Sequence, residues 1–564
     1  MFPSGEISID SFAGGGGASE GHRLAFGIDP DVAINHDPEA IAMHRANHPG
    51  SRHLCQSVYR ADPRDVAGDK PVGLLWASPD CKHFSKAKGG QPLNKNIRDL
   101  AWVVVHYAER LPKWQKPRVI ALENVEEFLQ WCDLIQKLDA KGRPVFKDGS
   151  PVMVPDRTKI DLKGLGNIFR RWVARLKKQG YVVEWMVLRA ADYDTPTIRK
   201  RLFVIARRDG RPIVWPEATN GKPDSLGVKA GKLKPWRPAA EILDFTLDTP
   251  SIFLSPEEAA LHNCKRPLAE NTMARIAAGI QRYVIDNPNP FIVPITHSVK
   301  HGPFDGRFHP GHEPLRTITG ANGGELALVS PFVTKFRAGA VGASSLEPVP
   351  TVTANSFHKK PGGAVPLGLV AAFLAQHNTG VVGHHAVEPV SSITQTGSHQ
   401  NLVTAFLLNQ KGSDQRMAGA DEPLRSQCAG GNHAAAVYAF MCKFYGEGGQ
   451  WQPANDPLHT IPTKDRFGLV TVTIAGQPYV IVDIGMRMLT PRELFLAQGF
   501  RRDYLINQGL FVIDGPTGQV TGWRPLTKAS QIRMCGNSVC PPLAEAILRA
   551  NLPEFCAIRE RKAA

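Results

Sequence analysis

Hydrophobic positions in the first 215 residues form short apolar runs, separated by segments with helical periodicity. Val72–Ala77 and Arg118–Leu122 are apolar runs bounded by turn signals, which is typical of buried parallel strands, and Ile7–Ser11 is predicted as a short strand that runs into Gly14–Gly17. One face of an amphipathic helix is indicated by four side chains at i, i+3, i+4 and i+7: Phe169, Trp172, Val173 and Leu176. The alternating β-α-β-α order over 7–215 predicts a doubly wound α/β domain.

The same patterns predict the remaining elements of this part of the chain. Further strands are expected at Asp31–Ile34, Tyr181–Leu188 and Arg201–Ala206. Further helices are expected at Ser19–Phe26, Pro38–Ala46 and Ile97–Leu111. The turn signal Asp148-Gly149 predicts an inserted loop or hairpin within Gln136–Lys163.

A different texture begins near Phe291, where an acidic residue, a proline and an aliphatic residue recur as a triplet. The spacings between its prolines are 34, 41, 34 and 34 residues, and the prolines are Pro314, Pro348, Pro389, Pro423 and Pro457. Strand-like triplets and polar loops follow three of these copies. A β-rich internal repeat is therefore predicted in this part of the chain.

An α/β texture is expected to return after the repeats. It has a strand at Tyr479–Asp483, a helix from Pro491 and a last helix from about Pro542 to Ala550. Four parts are predicted in all: an α/β domain at 1–215, a basic linker or start of the next region at 216–290, the repeat region at 291–478, and a C-terminal part at 479–564 that rejoins the first domain.

Composition suggests a partner and excludes several classes of protein. The 564 residues carry 67 Lys+Arg and 52 Asp+Glu, and the net charge of +15 suggests nucleic acid before other polyanions. No run approaches 18 consecutive apolar residues and the start shows no signal peptide, so no membrane partner is expected. Nine cysteines without a CxxC pair predict no metal site and favour a reducing, cytoplasmic setting.

The first segment with candidate chemistry is Gly14–Gly17, directly after the first predicted strand. Glycines at such a place let backbone N–H groups approach a cofactor closely. The strict GxGxxG fingerprint of nicotinamide dinucleotide sites fails, because Ser19 stands three places after Gly16. A nicotinamide oxidoreductase is therefore disfavoured, whereas a tight turn without a ligand stays open as an alternative.

Two more candidates follow predicted strands, where the ligand and catalytic groups of open α/β sheets gather. Cys81, within Ser78–Ser85, can act as a nucleophile once it is ionised, and nearby Lys and His side chains favour its thiolate. Glu123 comes just past the strand Val119–Leu122 and could hold a proton against a base edge. Alternatively, Cys81 is simply a small buried residue, and Glu123 is simply an acidic residue at the start of a helix.

Three further segments have simple explanations when each is taken alone. Arg199-Lys200-Arg201 is most simply a solvated charge run. Leu489–Glu493 is most simply an N-cap followed by a proline at the first helical position. Gly536–Val539 is most simply a loop before the last helix.

Taken in order, these segments resemble the DNA (cytosine-5) methyltransferases of prokaryotic or phage type, over about 1–215 and 480–564. The matching residues are Phe12, Gly14 and Gly16 of the FxGxG loop, Cys81 of the Pro-Cys motif, Glu123-Asn124-Val125 of the ENV motif, Arg199 and Arg201 of the Gln-Arg-x-Arg segment, and the last two motifs at 489–493 and 536–539. The resemblance implies a Rossmann-like S-adenosylmethionine-dependent methyltransferase domain, into which a β-rich, repeat-containing recognition domain is inserted.

The resemblance also implies the site residues. S-adenosylmethionine would be bound by Phe12, Ala13, Gly14, Gly15, Gly16, Asn35, Asn537 and Ser538. The catalytic set would be Cys81, Glu123, Arg199 and Arg201. The Cys81 thiolate would add to C6 of a flipped-out cytosine, C5 would take the methyl group, Glu123 would hydrogen-bond N3 and Arg201 would contact the ring carbonyl.

The implied partner is double-stranded DNA, bound by a monomer without a metal; a restriction endonuclease partner is not readable from the sequence. Four positions depart from the family pattern: Asn35, Ser57, Asp80 and Thr197. They bear on cofactor affinity and loop geometry rather than on the reaction class. A tRNA cytosine-5 methyltransferase and a non-catalytic DNA-binding protein on a decayed scaffold stay open as alternatives.

The positive charge is unevenly distributed along the chain. Residues 151–240 hold 20 Lys+Arg and 8 Asp+Glu, whereas 291–470 hold 13 and 11. This difference predicts a division of labour, in which a basic segment around Arg199 and Arg201 holds phosphates and a nearly neutral repeat region distinguishes bases.

Overall fold

The computed structural model describes residues 2–79, 99–147, 149–244, 247, 249–268, 486–515 and 518–556, and the backbone of the strands named below within 291–481. The strands of the first 207 residues are β1 (Ile7–Ser11), β2 (Val32–Asn35), β3 (Arg52–Cys55), β4 (Val72–Ala77), β5 (Val119–Asn124), β6 (Leu134–Gln136), β7 (Phe146–Lys147), β8 (Ser150–Pro151), β9 (Met153–Pro155), β10 (Val182–Arg189) and β11 (Lys200–Arg207). The helices there are α1 (Gly17–Phe26), α2 (Pro38–Asn47), α3 (Pro63–Ala67), α4 (Trp102–Arg110) and α5 (Asn167–Lys178).

Seven of these strands form one sheet in the order β10-β11-β5-β4-β1-β2-β3. The five strands from β5 to β3 are parallel, β11 runs antiparallel to β5, and β10 runs antiparallel to β11. The parallel strands are joined through helices, as the alternating pattern predicted. The doubly wound α/β fold is therefore confirmed.

Two hydrophobic cores cover the two faces of this sheet. One contains Leu75 and Ile120 together with Trp172 of α5, and α4 contributes its valines to it. The other contains Leu74 and Ala121 together with residues of α1 and of the last helix. Successive residues of β4 thus point to opposite faces, and both faces are apolar because both are covered by helices.

The predicted strand over Val72–Ala77 agrees with the structure at both ends, whereas two other expectations need correction. Glu123 and Asn124 do not lie just past β5 but within it, because they pair with Phe203 and Leu202 of β11. Strand β3 was not predicted. Its Arg-His-Leu-Cys sequence lies at the sheet edge, half-buried or exposed, and has no hydrophobic alternation to reveal it.

The segment predicted to be a loop or hairpin contains β6 to β9. Strand β6 pairs antiparallel with β9 and β7 with β8, so the hairpin is confirmed. Short elements follow β11: β12 (Asn220–Gly221), α6 (Leu226–Lys229), β13 (Lys234–Pro235) and α7 (Pro256–Leu261). Single turns of 3-10 helix lie at Asp99–Ala101, Glu126–Gln130, Arg157–Lys159, Ala190–Tyr193, Ala239–Ile242 and Pro553–Phe555.

All the elements that the structure describes between 291 and 481 are strands. They are β14 (Phe291–Pro294), β15 (His309–Pro310), β16 (Leu326–Val329), β17 (Phe332–Lys335), β18 (Ala343–Ser344), β19 (Thr351–Ala354), β20 (Leu367–Leu369), β21 (Ala375–Gln376), β22 (Gln400–Asn401), β23 (Val403–Asn409), β24 (Ala418–Gly419), β25 (Ser426–Cys428), β26 (Ala434–Cys442), β27 (Thr471–Ile474) and β28 (Gln477–Ile481). The expected strand character agrees with this, while the repeat and the domain boundaries stay predictions.

The strand expected at Tyr479–Asp483 is β28, and it differs from the expectation in its partners. It pairs antiparallel with β26 and β27, so it belongs to the β-rich segment rather than to the central sheet. The last elements are β29 (Met486–Met488), α8 (Pro491–Ala497), β30 (Gln508–Gly515), β31 (Gly518–Pro525), α9 (Lys528–Asn537) and α10 (Pro541–Asn551).

The C-terminal helices contact the elements of the first 207 residues. Helix α10 packs so closely on α1 that a Cβ atom added at Gly21 would lie 2.5 Å from the Cβ of Ala544. One expectation is wrong here: Gly536 and Asn537 do not form a loop but the last turn of α9, which Thr527 caps at its other end. Within the described residues, no helix is long and apolar enough to cross a membrane.

Candidate active site

The carboxyl ends of three parallel strands bring the predicted segments together at one edge of the sheet. The backbone N of Ser78, just past β4, donates to the Ser11 carbonyl at the end of β1, at 3.2 Å. Asn124, the last residue of β5, donates from Nδ2 to the Pro79 carbonyl at 3.1 Å. Asn124 therefore fixes the chain two residues before Cys81. Cys81 and Asp80 themselves lie outside the described residues.

Glu123 lies buried at this edge beside two arginines. Its Oε1 is 3.0 Å from Nε of Arg201 and 3.9 Å from Nη2 of Arg199. Arg199 directly precedes β11 and Arg201 is its second residue; both side chains reach Glu123, whereas Lys200 between them is exposed. Arg199 also donates from Nη1 to the Gly536 carbonyl at 3.0 Å, which ties the end of α9 to the carboxyl group.

Burial raises the pKa of the Glu123 carboxyl above its ordinary value, although Arg201 and Arg199 act in the opposite direction. The raised pKa extends the pH range in which the carboxyl keeps its proton. A protonated carboxyl can donate a hydrogen bond to a ring nitrogen, whereas a carboxylate can only accept one. The surroundings of Glu123 thus suit a proton-holding group.

The two arginines are not the solvated run suggested by the sequence, nor do they present a phosphate-binding surface. Arg199 is only 2% exposed. The side chain of Arg201 is 11% exposed, and its Nη1 donates to the carbonyl of Lys200 at 2.8 Å. Both guanidinium groups lie beside the buried Glu123 carboxyl, because a buried carboxylate without a cation would be unfavourable.

Described cysteines near the site are poor candidates for the nucleophile. Cys540, which follows α9, donates from Sγ to Oε1 of Gln498 at 2.8 Å. Burial raises the pKa of its thiol to about 12, despite the nearby charges of Arg199 and Arg201. Because only the thiolate is nucleophilic, Cys540 is inert at neutral pH.

The glycine-rich loop after β1 has one packed face and one open face. Gly14 and Gly16 have φ values of 52° and 93°, and Phe12 has a φ of 67°. A Cβ atom at Gly16 would lie 2.2 Å from the Tyr504 hydroxyl, so no side chain fits there. A Cβ atom at Gly14 would meet no atom closer than the Phe12 carbonyl oxygen at 3.7 Å, so this side of the loop is open.

The other residues predicted for cofactor binding lie around this loop. The Ala13 backbone N donates to the Ile34 carbonyl at 3.0 Å, which holds the loop against β2. Asn35 ends β2, and its Oδ1 accepts from the backbone N of Asp37 at 2.9 Å. Asn537 is exposed, whereas Ser538 is buried and donates to the Val539 carbonyl. An open loop face bordered by polar side chains fits a small polar cofactor.

A buried polar layer lies beneath the loop, and no motif predicted it. Asp10 of β1 accepts from the Ser19 hydroxyl at 2.6 Å, and Ser19 contacts Nε2 of His44 at 2.8 Å. The other ring nitrogen of His44 is 2.9 Å from His53. Burial raises the pKa of Asp10 to about 7, against the lowering effect of its bonds with Ser19. Burial lowers the pKa of His44 well below its usual range.

Tyr504 closes this layer from the C-terminal part of the chain. Its hydroxyl donates to the Gly15 carbonyl at 2.7 Å and lies 3.2 Å from Nε2 of His48. His48 in turn contacts Asp29 through Nδ1 at 2.9 Å. Sequence reasoning missed Tyr504 because nothing in its neighbourhood along the chain indicates a partner hundreds of residues away. Among the described residues, no cluster of three His, Cys, Asp or Glu could hold a metal ion.

Comparison with known proteins gives the class of this chain. The family described as C-5 cytosine-specific DNA methylase matches residues 7–133 and 160–242. These segments contain Glu123, Arg199, Arg201 and the glycine-rich loop. Over these segments, the chain is similar to that family.

Individual relatives are distant. The Type II methyltransferase M.AgeI of Thalassovita gelatinovora is 26% identical over 223 residues, which are 38% of this chain and 43% of the relative. M.AquIA of Picosynechococcus sp. is 25% identical over 237 residues, 41% of this chain and 84% of the relative. This chain spans less than half the length of M.AgeI. Among solved structures, the Entamoeba histolytica methyltransferase EhMeth is 12% identical, with a TM-score of 0.38 over 98% of this chain and 99% of that chain.

Proposed function

We propose that this chain transfers a methyl group from S-adenosylmethionine to C5 of a cytosine flipped out of double-stranded DNA. The observation that carries the proposal is the Glu123 carboxyl, buried with Arg199 and Arg201 at the strand end that meets the segment leading to Cys81. Similarity to the family over 7–133 and 160–242 supports the reaction class. The buried carboxyl adds the chemistry that this class requires.

In the proposed reaction, the Cys81 thiolate forms a bond to C6 of the cytosine, and the electron pair of the C5–C6 double bond becomes available at C5. Glu123, with its raised pKa, holds a proton at N3 and so offsets the negative charge that develops in the ring. Arg201 is placed to contact the ring carbonyl. S-adenosylmethionine supplies the electrophilic methyl group, after which loss of the C5 proton and departure of Cys81 restore the ring.

The open face of the glycine-rich loop is the proposed place of the cofactor. Phe12, Gly14, Asn35 and Asn537 border it at the carboxyl edge, where α/β domains bind their ligands. Ala13, Gly15, Gly16 and Ser538 act by shaping the loop, since each is buried against β2 or the C-terminal part. These roles follow from the exposure of each residue.

The β-rich segment is the proposed reader of the target sequence. It lies outside the family match, and all its described elements are strands. Exchanging 291–478 for the equivalent segment of a relative would then transfer the methylated sequence. Unchanged specificity in bisulfite sequencing would contradict this role.

A duplex containing 5-fluorocytosine tests the reaction. Fluorine at C5 cannot leave as a proton would, so the adduct at C6 persists after methyl transfer. Wild-type protein should form a complex with this duplex that survives denaturing electrophoresis, provided that S-adenosylmethionine is present. Cys81→Ala should form none, and trapping by this variant would refute the covalent mechanism.

A matched control is Cys55→Ala, because Cys55 is an exposed free cysteine at the end of β3. It should trap as wild type does. The substrate is tested by incorporation of labelled methyl groups into duplex DNA and into tRNA. Incorporation into tRNA alone would show that tRNA and not DNA is the substrate, while the proposed chemistry of Cys81 and Glu123 would still hold.

A further inference from the structure

A small β-structure projects from the chain shortly after Glu123. Residues 134–163, here called the β-arm, contain β6 to β9 in two antiparallel pairs. The match to the cytosine-specific methylase family stops at residue 133 and resumes at residue 160. Most of the β-arm is therefore an addition to the part of the chain that the family match covers.

The base of the β-arm is firmly held at the carboxyl edge of the sheet. Asn167 donates from Nδ2 to Oδ2 of Asp133 at 2.6 Å, so the residues that enter and leave the arm are joined. The backbone N of Gly166 donates to the Leu129 carbonyl at 2.8 Å. Beneath this junction Trp131 is fully buried. The β-arm thus has a fixed origin on the edge where Glu123 lies.

The charge of the β-arm is positive and points to solvent. It carries seven basic and four acidic residues, a net charge of +3. Asp139, Asp156 and Asp161 accept hydrogen bonds from backbone N–H groups of the arm or its base, so three of the four acids serve local turns. Exposed cations that form no ion pair with another described residue are Lys137, Lys141, Arg157, Lys159 and Lys163.

Packing does not explain the β-arm. Its large apolar side chains are outside the two cores: Phe146 is 60% exposed and Leu138 is 55% exposed. No described cation of the β-arm forms an ion pair with Glu123, whose charge is met by Arg199 and Arg201. The β-arm is charged, covers no core and adds no ion pair to Glu123, so an external partner best explains it.

We propose that the β-arm is a phosphate-binding arm, which contacts the backbone of duplex DNA beside the cytosine that is methylated. This inference rests on the proposed function, because that function places a duplex at the edge from which the arm projects. Extruding a base costs a few kcal/mol, and contacts to flanking phosphates hold the duplex while it happens. Lysine suits such contacts because it meets a phosphate as a point charge.

Salt dependence of duplex binding tests the arm directly. Four arm lysines are changed to glutamine together: Lys137, Lys141, Lys159 and Lys163. The control changes four exposed lysines at the opposite edge of the sheet: Lys70, Lys113, Lys177 and Lys178. Binding of a fluorescent 30-base-pair duplex is measured by anisotropy at several salt concentrations, so the readout does not depend on methylation.

We expect the arm variant to bind about 10–100-fold more weakly near 0.15 M salt and the control to stay within about twofold. The slope of log K against log [salt] should flatten by about 0.9 for each phosphate that the arm no longer neutralises. Changing the same four lysines to arginine should restore binding, since the charge is kept. Single-turnover methylation at saturating duplex should be unchanged in the control variant.

Equal losses in the arm and control variants would overturn the inference, as would an arm variant that binds like wild type. The latter result is also expected if the β-arm packs against another part of this chain. A loss confined to tRNA binding would overturn it in favour of an RNA partner. If wild-type protein neither binds nor methylates duplex DNA, the proposed function itself fails, which separates the two failures.

Discussion

Two carboxyl groups of the central sheet are buried to a similar extent but in different surroundings. Glu123 lies one residue from the end of β5 and is 5% exposed, and Asp10 lies one residue from the end of β1 and is 2% exposed. Glu123 has two guanidinium groups within 4 Å. Asp10 has the Ser19 hydroxyl at 2.6 Å, while its second carboxyl oxygen has no hydrogen-bond partner among the described residues.

The difference shows how one sheet can hold two buried carboxyl groups, of which one is suited to proton exchange and the other bonds within the interior. Burial raises the pKa of both groups. At Glu123, the arginines oppose this effect and keep the group able to exchange a proton near a ligand. At Asp10, the neutral surroundings favour the protonated acid, which bonds to Ser19 within the layer beneath the glycine-rich loop. The two neighbouring arginines thus distinguish the surroundings of Glu123 from the buried polar layer that contains Asp10.

The largest expected effect is that of removing the Glu123 carboxyl. Glu123→Ala should lower kcat/KM for cytosine methylation by about 10²–10⁴-fold, because a positioned proton donor contributes in that range. Glu123→Gln is the sharper variant, since its amide can still donate a hydrogen bond but cannot titrate. Wild-type activity should fall as pH rises through the raised pKa of Glu123, and this alkaline decline should be absent in Glu123→Gln. An identical decline in both proteins would assign it to another group.

Removing Arg199 should have the next largest effect, this time on folding. Arg199→Ala leaves Glu123 with one cation and leaves the Gly536 carbonyl without this donor. Breaking a buried ion pair from one side costs about 3–5 kcal/mol. Urea denaturation should show this loss in the free energy of unfolding. Lys200→Ala, at the exposed neighbouring position, should change it by no more than about 0.5 kcal/mol. Equal effects would mean that Arg199 does not stabilise the carboxyl site.

Asp10→Asn tests the second carboxyl group, and this substitution is expected to stabilise the folded protein rather than destabilise it. Because the folded pKa of Asp10, about 7, lies above its unfolded value, the protonated form favours folding below about pH 4, and this stability is lost as pH rises to 7. At about 1.4 kcal/mol per pKa unit the loss is a few kcal/mol. Asparagine avoids it, so Asp10→Asn should be more stable than wild type at pH 8 and about equal at pH 4.

Asp29→Asn is the matched control for that experiment. Burial raises the pKa of Asp29, but the hydrogen bond and charge of His48 outweigh it and the net shift is downward. Stability from Asp29 is therefore present above its unfolded pKa and is lost as pH falls through the folded pKa. Asp29→Asn should destabilise the protein at pH 7 and matter less at pH 3. A stabilising effect of both variants at pH 8 would show that the two acids do not differ as described.

Sequence patterns gave much of this picture where the signal is local. The apolar run Val72–Ala77 is strand β4 over the same residues, and the helical face of Phe169 and Trp172 is buried. The resemblance located Glu123, Arg199 and Arg201, but the contacts among them depend on the register of β11 against β5. Register is set by tertiary pairing, which a single sequence does not display.

The features that the sequence patterns did not predict are those that depend on residues far apart in the chain. Asp10 lies in β1, its partner Ser19 lies in α1, and His44, which contacts Ser19, lies in α2. The local sequence at Gly536–Val539 predicts a loop, yet Gly536 lies in α9 and its carbonyl accepts a hydrogen bond from Arg199, 337 residues away. Such contacts can override local propensity.

The smallest expected effect concerns the link between the polar layer and the loop above it. Tyr504→Phe removes the donor to the Gly15 carbonyl and should cost about 1 kcal/mol of unfolding free energy, since one hydrogen bond is removed. Tyr107 offers a matched control, because its buried hydroxyl has no hydrogen-bond partner in the described structure. Tyr107→Phe should therefore be neutral or stabilising. If Tyr504 supports the cofactor loop, its variant should also raise the Kd for S-adenosylmethionine in calorimetry, whereas Tyr107→Phe should leave it unchanged. An unchanged Kd in both variants would restrict the polar layer to stability and place all cofactor binding on the open face of the loop.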